Sequence, residues 1–233
     1  MVPKSKRIAI IPARGGSKRI PGKNIIEFAG KPMIAWTISA ALKSKKFSRV
    51  LVSTDCQNIA KISKKYGAEV PFFRKLFCDD ITPVSTATLH ALEQAEVFWG
   101  EKFSEVVQLM PNCPLRTGED IVSALSNFSH NRREFQISCF KFGWMNPWWS
   151  FQLNNDGEAN PMFPGAVSRR SQDLEDLFCP TGAIWIANVE KLKEHKTFYA
   201  SGHAFETIDW KGAVDIDDYD DLEFALAVHA LRK

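Results

Sequence analysis

Residues 8–24 read IAIIPARGGSKRIPGKN, and this stretch limits the possible folds more than any other. A short apolar run, 8–12, ends in a loop that holds Gly15, Gly16 and Gly22 together with Arg14, Lys18, Arg19 and Lys23. An apolar strand followed by a glycine-rich basic loop is how an α/β protein prepares a seat for phosphates. Glycines let backbone N–H groups come close, and the cations offset the charge of a polyphosphate. The alternative is a solvated basic turn, but so many glycines and cations packed together are hard to explain without an anion. The loop has neither the GxxxxGK[ST] spacing nor the GxGxxG spacing of the common nucleotide motifs. A nucleoside triphosphate still suits it, with backbone amides plus Arg14 and Lys18 on phosphate oxygens and Lys23 as a further cation.

The rest of the first 142 residues alternates strand-like and helix-like segments. Strands are expected at 8–12, 50–53, 70–73, 106–110 and 136–142. Helices are expected at 34–44, around Ile59, Ile62 and Tyr66, at 85–98 and at 119–128. Such alternation predicts a mostly parallel, doubly wound α/β sheet with helices on both faces, with ligands beyond the carboxyl ends of the strands. From Gly143 to about Pro180 the pattern changes. Trp144, Trp148 and Trp149 cluster, Asn154-Asn155-Asp156-Gly157 forms a turn, and Pro161 and Pro164 interrupt. We read 1–233 as one domain with an arm inserted at about 143–182. Strands resume at 183–187 and 214–216, and a helix at 219–231 closes the chain.

Composition bounds the function classes. The 233 residues are 45% hydrophobic and 24% charged with a net charge of +3, too weak a balance to argue for nucleic acid or a membrane surface. No apolar stretch approaches the roughly 18 residues that span a bilayer, and the N-terminus does not read as a signal peptide. The five cysteines, Cys56, Cys78, Cys113, Cys139 and Cys179, are scattered without a CxxC pair. They read as reduced thiols of a cytoplasmic protein rather than as a zinc site.

Further candidates lie at other strand ends. Asp215 and Asp217 stand at i and i+2, so in a strand they share a face and suit one Mg²⁺ through oxygen ligands. Asp218 reads as the N-cap of the last helix, with Asp220 and Asp221 in its first turn. Pro111 to Thr117 is a rigid two-proline turn; Asn112 and Arg116 are available there for polar contact, or the turn is a connector with Thr117 as a helix cap. Arg74 either donates to the carbonyl edge of a pyrimidine or pairs with Asp79 or Asp80 on the surface. The stretch Arg169 to Leu174 either grips an acidic sugar or is a charged loop. The tryptophans form either a sugar platform or a subunit interface.

Several segments stand in the order of a known family: Ile11-Pro12-Ala13-Arg14-Gly15-Gly16-Ser17-Lys18, Pro21-Gly22-Lys23-Asn24, Val52-Ser53-Thr54-Asp55, Pro114-Leu115-Arg116-Thr117, Gly182-Ala183-Ile184 and Val214-Asp215-Ile216-Asp217. The series resembles the acylneuraminate cytidylyltransferases, including the members that act on pseudaminic and legionaminic acids. The resemblance implies a Rossmann-like nucleotidyltransferase with a small protruding dimerisation arm, working as a homodimer. CTP and an acidic nine-carbon 2-keto sugar would give the CMP-sugar and pyrophosphate. It implies nucleotide binding by Ala13, Arg14, Gly15, Gly16, Lys18, Lys23, Asn24, Arg74 and Ser85. The sugar would lie by Arg116, Arg170, Gln172 and Trp185, and Mg²⁺ on Asp215 and Asp217. Arg14, Lys18 and Asp217 are the expected catalytic groups. Met110, Trp149 and Trp185 depart from a glutamine, a lysine and a tyrosine frequent in the family, all on the sugar side. Activation of another 2-keto sugar acid such as Kdo, or a nucleotide-binding module without turnover, are the alternatives.

Overall fold

The computed structural model describes residues 6–232. Strand β1 (Arg7–Pro12) is buried on both faces, as an interior parallel strand must be. The basic loop follows. A two-residue hairpin, β2 (Glu27–Phe28) and β3 (Lys31–Pro32), then leads into α1 (Met33–Ser44). The chain continues through β4 (Arg49–Ser53), α2 (Gln57–Lys65), α3 (Val84–Trp99), β5 (Glu105–Gln108), α4 (Gly118–His130) and β6 (Phe135–Lys141). Outside the main sheet lies a small antiparallel hairpin, β7 (Phe151–Leu153) and β8 (Ala159–Pro161). The long β9 (Phe178–Asn188), α5 (Val189–His195), β10 (Ala204–Thr207), α6 (Trp210–Ala213) and α7 (Tyr219–Ala230) complete the chain.

The main sheet runs β10-β6-β9-β5-β1-β4. Five strands share one direction and β9 alone runs against its neighbours β5 and β6. Successive residues of β1 serve opposite cores. Ala9 and Ile11 pack with Ile34 and Ile38 of α1 and Ile121 and Leu125 of α4. Ile8 and Ile10 pack with Leu89 and Leu92 of α3 and Leu192 of α5. The period of two therefore sorts the two helical layers onto the two faces. A third cluster joins Ile20 of the basic loop to Ile216 and to Leu222 and Ala225 of α7. It brings the end of the chain beside the first strand.

Two expected strands are absent. Residues 70–73 form no ladder; only Glu69 makes a bridge, to Leu51, because the chain turns away after it. Residues 214–216 also form no strand. The Ile216 N–H donates to the Asn112 carbonyl at 2.9 Å, a loop-to-turn contact. The edge strand β10 was not legible, and β9 extends well beyond 183–187. The helix starts hold as read: Thr117 and Asp120 form a capping box on α4, and Asp218 and Asp221 form another on α7. Among the described residues no helix is long and apolar enough to cross a membrane.

Glu96 of α3 ties the α5 side of the sheet together. Its carboxylate accepts from Lys102 and Lys193, both at 2.9 Å, and it is buried. Burial alone would raise its pKa, but the two lysines outweigh that and hold it below the ordinary value. A depressed folded-state pKa contributes stability above the unfolded value and loses it as pH falls. Glu96→Gln should therefore cost about 1–2 kcal/mol in urea unfolding at pH 7. The gap to the wild type should close below about pH 4.

Candidate functional site

Because β1, β4 and β5 are parallel, their carboxyl ends lie side by side, and the segments leaving β1 and β5 meet in one cavity of about 510 Å³. The walls come from four places: the basic loop, the segment ahead of α3, the turn after β5 and the loop ahead of α7. Arg14, Lys18, Lys23, Asn24, Arg74 and Asp217 all line it.

The basic loop is fixed from within and from β4. Asn24 Nδ2 donates to the Arg14 carbonyl at 2.9 Å. The Ala13 N–H donates to the Ser53 carbonyl at 2.9 Å, and the Gly15 N–H to Asp55 Oδ1 at 2.8 Å. A Cβ on Gly15 would stand 3.0 Å from the Cys56 Cβ, so a larger residue there would press against the start of α2. Ala13, Gly15 and Gly16 support this loop and do not line the cavity.

The cations are bridged by carboxylates. Asp80 joins Arg14 to Lys18, with the lysine at 2.5 Å. Asp217 joins Lys23 at 2.8 Å to Arg19 at 2.6 Å. Lys23 Nζ also donates to the Ile216 carbonyl at 3.0 Å. Lys18 and Arg14 hold the Asp80 carboxyl below its ordinary pKa. At Asp217 burial pushes upward, and Lys23 and Arg19 override it.

Arg74 is buried, and its backbone N–H is tied to the Thr54 carbonyl at 2.8 Å. It makes no ion pair with Asp79 or Asp80; Asp80 turns to the basic loop instead, and Arg74 Nε is buried without a partner among the described residues. Asp79 accepts from the backbone of Ile81 and Thr82 and from the Thr82 hydroxyl, and these bonds pull its carboxyl down to about 2.

Asp215 and Asp217 converge, though not through a strand. Asn112 Nδ2 donates to Asp215 Oδ1, to the Ile216 carbonyl at 3.2 Å and to Asp217 Oδ1 at 3.5 Å. Asp217 lines the cavity and Asp215 does not. Asp215 keeps open surface on one side, but its carboxyl is crowded by protein. That desolvation, then the charge of Asp217, pushes it upward against Lys23 and Asn112. Both groups are hard oxygen donors, and Asp217 already holds two cationic partners, Lys23 and Arg19. Among the described residues no third His, Cys, Asp or Glu joins them. The pair fits Mg²⁺, which keeps waters and takes substrate phosphates as its remaining ligands.

The expected sugar contacts do not gather here. Arg116 is buried away from the cavity and holds the Ala183 carbonyl at 2.5 Å, with burial lowering its pKa to about 10. It locks β9 to the turn after β5. Trp185 packs edge-on to Phe198 and Tyr199 and donates to the Thr181 carbonyl. Arg170 pairs with Asp173 on the arm, where Gln172 is exposed. Ser85 is buried one position from Val84, which does line the cavity. Sequence reasoning missed Phe77, Thr82 and Ala87 as lining residues and Asp80 as a partner of the loop. Hydrophobic periodicity carries no signal for any of them.

Three comparisons bear on this site. Residues 8–138 match the profile of a family described as cytidylyltransferase. The chain is 33% identical over 228 residues to a pseudaminic acid cytidylyltransferase of Campylobacter jejuni, covering 97% of each. It is 34% identical over 207 residues to a CMP-N,N'-diacetyllegionaminic acid synthase of Legionella pneumophila, covering 83% of this chain and 82% of the other. Its fold is similar to that of a CMP:2-keto-3-deoxy-manno-octonic acid synthetase complexed with CTP, with a TM-score of 0.71 and 16% identity over 98% of this chain and 100% of that one.

One packing constraint shapes the inner wall. A Cβ on Gly182 would stand 2.8 Å from Met110 Cγ, and Met110 lines the cavity. Gly182→Ala should destabilise by about 1–3 kcal/mol through overpacking. In a Met110→Ala background the same change should cost less than half as much by urea unfolding; equal costs would show that Met110 is not the obstacle.

Proposed function

The chain belongs to the cytidylyltransferase family, and from that premise we propose that it transfers CMP from CTP to an acidic nine-carbon 2-keto sugar, releasing pyrophosphate. The observation that carries this reading is the meeting of the basic loop with Asp217 in one cavity, with Lys23 Nζ 2.8 Å from Asp217 and Asp215 joined to Asp217 through the Asn112 amide. One nucleotide polyphosphate spans such a site.

The sugar's anomeric hydroxyl attacks the α-phosphorus in line. The new bond is from that oxygen to phosphorus; the bond from phosphorus to the oxygen bridging to the β-phosphate breaks, and pyrophosphate leaves with the electron pair. The hydroxyl proton passes toward the acidic pair. Arg14 and Lys18 stabilise charge building on the leaving group, and Lys23 that on the phosphate nearest Asp217. Arg74, buried with an unsatisfied donor, faces the base. Asp215 and Asp217 would hold Mg²⁺, which when bound supplies neutralising charge at the phosphates. The acceptor approaches beside Met110, Pro111 and Asn112.

Pyrophosphate release should require CTP, Mg²⁺ and one of the pseudaminic, legionaminic or sialic acids, and should stop on chelation of the metal. Lys18→Ala and Asp217→Asn should each lose on the order of 10² to 10³ in kcat/KM. Full activity in the first would remove the phosphate assignment, and full Mg²⁺-dependent activity in the second the metal assignment.

The arm carries exposed Trp144, Met145 and Leu153, an apolar surface that suits a second copy of this chain. We assign it to a homodimer, and the unpaired cysteines to a cytoplasmic setting. Light scattering should give twice the chain mass, and Leu153→Asp with Trp144→Glu should return it to one.

A further inference from the structure

Among the described residues, Asp80 is the one carboxylate that pairs with Arg14 and Lys18, the two cations read above as phosphate ligands. Its position is set by its own segment. Asp79 closes a turn on the Ile81 and Thr82 N–H groups at 2.8 and 2.6 Å, and on the Thr82 hydroxyl at 2.8 Å. Phe77, two residues before that turn, lies in the left-handed region with φ 59°. Phe77, Asp79, Asp80 and Thr82 all line the cavity, so this segment is a wall of the site as well as the source of the carboxylate. The Arg14 and Asp80 side chains are each about one-third exposed, at 33% and 34%, so both stay reachable from solvent.

A carboxylate bound by two cations at the mouth of a phosphate site is chemically a stand-in for a phosphate: a small oxyanion that accepts from the same donors. The two cannot hold the same N–H groups together. We propose that Asp80 is an internal competitor for the triphosphate, displaced from Arg14 and Lys18 when a polyphosphate enters and returning as pyrophosphate leaves. The idea deepens the transferase reading and rests on it. Its consequence is kinetic as well as thermodynamic. With Asp80 in place no bare cation pair waits in the cavity, and the returning carboxylate supplies the anion that replaces the product. Without Asp80, pyrophosphate stays bound longer.

Binding of CTP, inorganic pyrophosphate and cytidine is to be measured by calorimetry on the full chain, wild type and Asp80→Asn, without divalent metal at low ionic strength. Asp80→Asn keeps the shape and removes the charge. It should bind pyrophosphate and CTP roughly tenfold more tightly, as expected for two partly exposed ion pairs no longer given up. The gain should shrink in 1 M salt. Cytidine, which carries no phosphate, should bind both proteins alike. Unchanged or weaker pyrophosphate binding in Asp80→Asn, with CTP bound by the wild type, overturns the competitor and leaves the transferase standing. An equal gain for cytidine would trace the effect to a loosened wall and likewise overturn it. A wild type that binds neither CTP nor pyrophosphate sinks both readings. Asp80→Ala, which shortens the side chain, should reproduce the gain for pyrophosphate.

Discussion

The site depends on Lys23. Its ammonium group lies between the Ile216 carbonyl at 3.0 Å and Asp217 Oδ1 at 2.8 Å, joining two loops separated by nearly the whole chain. Its side chain is only 15% exposed, so the charge is largely removed from water and needs both oxygens. Arg19 shares Asp217 from the solvent side, and the cluster of Ile20, Ile216 and Leu222 packs beneath. A hydrophobic seam thus holds the loops together while the charged groups above it set their register. The cations are aimed before any ligand arrives, which is what electrostatic stabilisation of a polyphosphate requires.

The parallel sheet explains why such distant segments meet. Strand β1 pairs with β4 and β5 in the same direction, so their outgoing segments share one edge. The antiparallel β9 breaks that pattern and brings Gly182 to that edge, where its carbonyl accepts from the Met110 N–H at 3.2 Å. Arg116 takes the Ala183 carbonyl, with its remaining guanidinium nitrogens buried and without partners among the described residues. An arginine that looks available for a substrate in the sequence is instead a structural pin, and its position next to a buried turn is what decides this.

The legible parts of the chain were those whose physics is local. The apolar run of β1, the basic loop after it and the capping residues Thr117 and Asp218 each declare their role within a few positions. Val214-Asp215-Ile216-Asp217 shows where locality fails. Alternating apolar and acidic residues imitate a strand, yet the Ile216 N–H bonds to the Asn112 carbonyl and no ladder forms. The two carboxylates still converge, because one amide, Asn112 Nδ2, gathers them. Arg74 is another such case. Of its two readings, a contact to a pyrimidine edge or a surface pair with Asp79 or Asp80, the pair does not form: Asp79 folds its own turn and Asp80 crosses to the basic loop. The arm was least legible: Arg170 pairs with Asp173 and Gln172 is exposed there, on a segment whose position no periodicity specifies.

The two halves of the cavity differ in how they specify a ligand. On one side, the cations of the basic loop and Arg74 supply positive charge. On the other side stand Met110, Pro111 and Asn112. Met110 is unbranched and soft, and it passes Gly182 at a distance that leaves no room for another carbon there. Asn112 has committed its amide N–H groups to the acidic loop and keeps Oδ1 buried without a partner among the described residues. A wall of this kind selects by shape and by a few polar atoms rather than by charge. Of the positions that depart from the resembled pattern, Trp149 and Trp185 do not line the cavity, while Met110 lines it from outside the basic loop. The basic loop follows β1 and the Met110 turn follows β5, so one wall of the cavity can change while the other stays fixed.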